Sequence, residues 1–161
     1  MRIFTDEEVV LWLEQHSIQA NPYSKNSHPF DGFYQQRPIP SSGDTAAFAE
    51  SLIRREAGFS SALLHFTDWA HYQPVQMSAI CAIRSAAEDE RLLIEAPGHL
   101  FGSEQEEALI QMFGLGMEFG WTAYLYFETE LTYLAWEGEL LDEWRIGPGQ
   151  RGFDISMSQD S

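Results

Sequence analysis

Asp68, Glu95 and His99 are the residue types that acid–base chemistry uses, and each follows a short apolar run in which a strand is expected. Two carboxylates beside an imidazole would act as general acid and base if they converged within hydrogen-bonding reach. A hydrolase-type reaction is what such a trio would serve. A structural reading stands beside this one, because Asp and His are also ordinary cap and turn residues, and a His after Pro97-Gly98 can hold its loop through backbone bonds. Other chemistries lack their residues. The five histidines (His16, His28, His65, His71, His99) never recur at a spacing of three or four, and there is one cysteine, so no metal constellation is legible. Cys81, between Ile80 and Arg84 on the expected apolar face of a helix, reads as a buried, inert thiol. No nucleophile elbow, phosphate-cradling glycine loop or dinucleotide fingerprint occurs, and no cofactor is expected.

Charge is more informative. The 161 residues carry 25 Asp and Glu against 9 Lys and Arg, a net charge of -16, yet 44% are hydrophobic, which is too apolar for a disordered acidic chain. Residues 1–85 have a net charge of -3, whereas residues 86–144 hold 14 acids and only Arg91. Within that stretch Glu128, Glu130, Glu137, Glu139, Asp142 and Glu143 are interleaved with Trp136 and Trp144. Concentrated charge of one sign steers an oppositely charged partner, and aromatic rings supply anchors, so these eight residues form a candidate binding face for a basic protein. The alternative is a solubilising surface. Nucleic acid is excluded as a partner by the scarcity of basic residues. No apolar run approaches the length of a membrane span, the N-terminus carries Asp6, Glu7 and Glu8 where a signal peptide would be basic, and a lone cysteine suits a reducing compartment. These features place the chain in the cytoplasm, away from membranes.

The elements that must position these groups follow from periodicity. Thr5 and Glu8 spell a capping box before Val9, Trp12 and Leu13, predicting a helix over 5–17. Residues 18–43, with four prolines and interspersed aromatics, read as an irregular loop packed on the core, and Phe30-Asp31-Gly32-Phe33 would close a small hairpin. A helix is expected over 44–57, a strand over 61–67, a helix from Pro74, a strand over 91–96 closed by a type II turn at Pro97-Gly98, and a helix after a Ser103/Glu106 capping box. Strands over 121–128 and 131–137 read as a hairpin; 139–146 is ambiguous between strand and helix. The expected fold is α/β, bordering on α+β: a mixed four-stranded sheet in the order strand-helix-strand-helix-strand-strand, with flanking helices and an N-terminal helical and loop extension. One domain covers 1–146, with its core in 44–146, and 147–161 is a tail.

The run from Asp68-Trp69 through Glu95-Ala-Pro-Gly-His-Leu-Phe101 to Phe119-Gly120-Trp121-Thr-Ala123 resembles a group of uncharacterised bacterial proteins that share a DW, EAPGHLF, FGW-x-A pattern. That resemblance covers about a third of the chain and transfers no activity or functional residue. In size and acidity the chain is also similar to immunity proteins that neutralise basic toxins, which implies a non-catalytic binding module with a basic partner.

Overall fold

In the computed structural model the described residues are 1–18, 33–56, 58–69 and 72–145. Among them are seven strands and four α-helices in the order β1 (Arg2–Phe4), α1 (Asp6–Gln15), β2 (Phe33–Pro38), α2 (Thr45–Arg54), β3 (Ser61–Asp68), α3 (Pro74–Arg84), β4 (Gly98–Gly102), α4 (Glu106–Glu118), β5 (Thr122–Phe127), β6 (Leu131–Trp136) and β7 (Leu140–Arg145). All seven strands join one sheet in the order β1-β4-β3-β5-β6-β7-β2, and every neighbouring pair is antiparallel. The α/β character holds, but the four-stranded mixed sheet does not.

The main correction lies at 91–96. Arg84, at the end of α3, donates from Nη2 to Arg91 O and from Nη1 to Ala96 O, both at 2.9 Å, and Glu95 accepts from Leu92 N. With its carbonyls held by a guanidinium, this segment turns instead of pairing. The strand is 98–102, which runs back antiparallel beside β3. Gly98 therefore opens a strand and has no left-handed backbone, contrary to the expected type II turn. A Cβ there would lie 2.6 Å from Val9 Cγ2 and 2.9 Å from Phe4 Cβ, so a glycine lets β1 and α1 close over β4. The crossovers that would make the strands on either side of α3 and α4 parallel neighbours are therefore absent, and β3 pairs antiparallel with both β4 and β5. β4 and β5 both run against β3 from either side, so they are parallel to each other, and α4 connects them across β3.

Two further strands come from segments read as loop or extension. Residues 2–4 pair with β4, and 33–38, inside the expected irregular loop, pair with β7 along six residues. The proposed Phe30–Phe33 hairpin and the tail 147–161 lie outside the described residues, apart from the backbone of Phe33 in β2.

Alternation along the strands builds two apolar layers. Ala62, Leu64 and Phe66 of β3 face the larger core with Leu52 and Ile53 of α2, Ile80 of α3 and Leu109 and Phe113 of α4. Leu63 faces the other way, beneath Phe4 and the Val9, Trp12 and Leu13 stripe of α1. The Thr5/Glu8 capping box forms as read. The Ser103/Glu106 box does not, because Glu106 pairs with Arg54 of α2 instead. Close approach of α4 to the sheet depends on Gly116, where a Cβ would lie 2.8 Å from Phe66. Cys81 is exposed, not buried: Ile80 and Arg84 occupy the inward side of α3.

Candidate functional site

The sheet does not assemble an acid–base trio. Asp68 is exposed at the end of β3, opposite Thr122 of β5. Glu95 is exposed and its carboxylate is occupied by Leu92 N at 2.7 Å. His99 is fully buried, with its ring edge-on to Phe66 and its Nε2 accepting from Arg84 Nη1 at 2.5 Å. Its Nδ1 is buried without a partner, so neither ring nitrogen meets a carboxylate. Burial, and then the Arg84 charge, hold the imidazole's pKa down at about 3. A ring that is neutral at ordinary pH, shut from solvent and tied to a cation has no way to shuttle protons to a substrate. Burial likewise lowers the Arg84 pKa, and that guanidinium serves as the internal staple of the 88–97 segment.

The acidic run fares differently residue by residue. In successive antiparallel hairpins alternate turns lie at opposite ends of the sheet, and six residues of β6 separate them by about 20 Å. Glu128 and Glu130 are therefore at one end, and Glu137 and Glu139 at the other. Between them, on β7, Asp142, Glu143 and Trp144 are buried, so none of the three is an exposed contact. Asp142 accepts from Gln36 Nε2 at 2.8 Å and Trp136 Nε1 at 2.7 Å. On the opposite face, Glu143 bridges Arg37 of β2 and Arg55 just beyond α2. These carboxylates fasten the edge strand and α2 to β7. Trp144 packs against Leu134 and Tyr124.

The Glu128 end is also internally committed. Its carboxylate accepts from the hydroxyls of Ser60 and Ser61, with His16 Nε2 3.3 Å away. Burial alone would raise its pKa, but these donors and the imidazole outweigh it and hold the group lower than usual. Next to it, Arg145 donates to Thr129 O and pairs with Glu56, which also accepts from Thr129 Oγ1.

The Glu137 end is open. There the 137–139 turn meets the C-terminus of α4 and the 39–45 segment around a shallow cleft of about 330 Å³, whose lining includes Ser42, Thr45, Glu118, Phe119, Glu137 and Gly138. Glu139 O accepts from Ile39 N, and Thr122 Oγ1 accepts from Glu137 N. Glu118 faces three donors: Ser42 Oγ, Thr45 Oγ1 at 2.8 Å and Gly43 N at 3.2 Å. The two hydroxyls, then the amide, push its pKa down, so the cleft holds a fixed negative charge. Glu137 and Glu139 are exposed, and the adjacent Trp136 is 41% exposed. Sequence reading missed Glu118. The only available signal was an acid at the end of a helix, where the dipole disfavours it, which hints that something else holds it there.

Among the described residues no group of three metal-ligating side chains converges, and no helix is long and apolar enough to cross a membrane. No protein-family model, curated protein or solved structure matches the chain.

Proposed function

We propose that this protein is a non-catalytic, immunity-like binding module of the bacterial cytoplasm that receives a basic protein at the Glu137 end of the sheet. The observation that carries this reading is the cleft itself. It presents the ionised Glu118 beside Glu137, with Glu139 exposed in the same turn, while Glu128, Asp142 and Glu143 of the acidic run are bonded to neighbouring side chains. Arg and Lys side chains are complementary to such a site, and the surrounding negative field raises encounter rates. The buried, neutral His99 removes the support for the hydrolase reading.

A fluorescent nona-arginine peptide tests this by anisotropy, at low salt and at about 0.15 M, where charges are screened beyond roughly 8 Å. Glu118→Gln/Glu137→Gln/Glu139→Gln should weaken binding about tenfold at low salt. Glu88→Gln/Glu90→Gln/Glu104→Gln removes the same charge elsewhere and should change it less than about twofold. Equal losses in the two triple variants would reduce the acidic surface to a diffuse, solubilising one.

A further inference from the structure

Helix α1 is held on its face of the sheet by two imidazole–carboxylate contacts, one near each end. At the start of the helix, His65 Nε2 of β3 lies 2.8 Å from Asp6 Oδ1. At the finish, His16 caps the helix with Nε2 3.3 Å from Glu128 Oε1, at the end of β5. Its Nδ1 is 2.8 Å from Trp12 O, and its ring stacks on Trp12 at 4.3 Å.

The two histidines are not equivalent. The His65 contact needs a single N–H, which a neutral tautomer supplies. Both nitrogens of His16 face acceptors, and a neutral imidazole has one N–H and one lone pair, so only the imidazolium donates to both. The ring sits at the C-terminus of α1, the negative end of the helix dipole, beside Glu128, which Ser60 and Ser61 keep ionised. Around His65 the cross-strand neighbours are Gly98 and Tyr124, and the next imidazole, His99, is neutral. Other polar ties of this region run from Arg91 to Glu8 at 3.7 Å and from Arg91 Nη2 to Ile3 O at 3.1 Å.

We infer that protonation of His16 regulates how tightly the last turn of α1 is docked on the sheet. Charged, the ring joins the helix terminus to the β5–β6 corner. Neutral, it must give up either Trp12 O or Glu128, and the grip on Trp12, Leu13 and Ile18 loosens. Histidine is the side chain whose ordinary range spans this transition.

Native-state hydrogen exchange at about pH 5.5 and about pH 8 tests the inference, with α2 amides in the same sample as the internal reference. In the parent, protection of residues 12–16 relative to α2 should fall about threefold at the higher pH, the size expected of a half-exposed ion pair. His16→Gln keeps a donor but does not titrate, and Glu128→Gln removes the anion, so in each the ratio should stay constant. His65→Gln should retain most of the change. A constant ratio in the parent, or the same threefold change in His16→Gln, would overturn the assignment. No outcome depends on a partner, so it stands or falls separately from the binding function.

Discussion

The turns at 128–130 and 137–139 are made of the same material and do opposite things with it. Each is acidic, and each contains a glutamate with positive φ, Glu130 at 71° and Glu137 at 46°. At the first, serine hydroxyls, an imidazole and an arginine surround the carboxylates and backbone. At the second, Glu137 lines a cleft in which hydroxyls hold Glu118 ionised, and Glu139 is exposed in the same turn. Closeness in sequence is therefore a poor guide to a charged face in an antiparallel sheet. The pleat sends neighbours such as Asp142 and Glu143 to opposite faces, and the hairpins send successive turns to opposite ends. Whether a carboxylate belongs to folding or to recognition depends on the donors that reach it.

The largest expected effect sets the pH window in which the two ends can be compared. His99 stays neutral in the folded state down to about pH 3, whereas the unfolded chain takes up that proton near pH 6.5, so the unfolded state gains protons first. Stability from this group is whole above about pH 6.5 and falls by roughly 1.4 kcal/mol per unit toward pH 3. Urea melts should show that slope, and His99→Gln should flatten it. A parent with no acid-side slope between those limits would mean that the ring ionises in place.

Within the window, Glu143→Gln should cost about 2–3 kcal/mol, because it removes the buried anion shared by Arg37 and Arg55. Less than about 0.5 kcal/mol would return Glu143 to the surface set. Gly138→Ala should cost about 2 kcal/mol: φ is +72°, and the added Cβ would lie 2.8 Å from Gly120 Cα and Met117 O. A thermal melt within a degree or two of the parent would show that the open turn yields more easily than its packing implies. Ser60→Ala/Ser61→Ala should lose about 1 kcal/mol at neutral pH. Glu128 has a lowered folded pKa, so this contribution is present above the unfolded value of about 4.3 and disappears as pH falls through the folded one. A parent-minus-variant difference that persists at about pH 3 would detach the serines from the carboxylate's charge. Smallest of all, Glu137→Gln/Glu139→Gln should stay within about 0.5 kcal/mol of the parent, since exposed charges of one sign contribute little to folding.

Much of the fold was legible where periodicity is local. The Thr5 cap, the inward positions of Ile80 and Phe113 and the 121–137 hairpin follow from spacing and propensity. What escaped is set by distant partners. Residues 91–96 have the composition of a strand, but Arg84 takes the carbonyls that a ladder would use. Residues 33–38 look like loop because of the prolines around them, and become a strand because β7 supplies a matching edge. The site was visible only in part, since Glu137 and Glu139 could be chosen by type, whereas Glu118 is drawn in by Ser42 and Thr45 from 76 and 73 residues away. Asp142 and Glu143 were misplaced for the converse reason: their character as surface residues is cancelled by Gln36, Arg37 and Arg55, while Trp144 packs against Leu134 and Tyr124.

The β2–β7 pairing also has a consequence in time. Gln36 and Asp142, joined across it, are 106 residues apart, so β2 emerges from the ribosome long before β7, its one neighbouring strand among the described residues, exists. At 5–20 residues per second, that wait is about 5–20 s. During translation Arg37 has no Glu143 to meet, and the six residues of β2 are an open edge to any nascent strand nearby. Synthesis through Arg145 therefore decides whether that edge closes on its own chain.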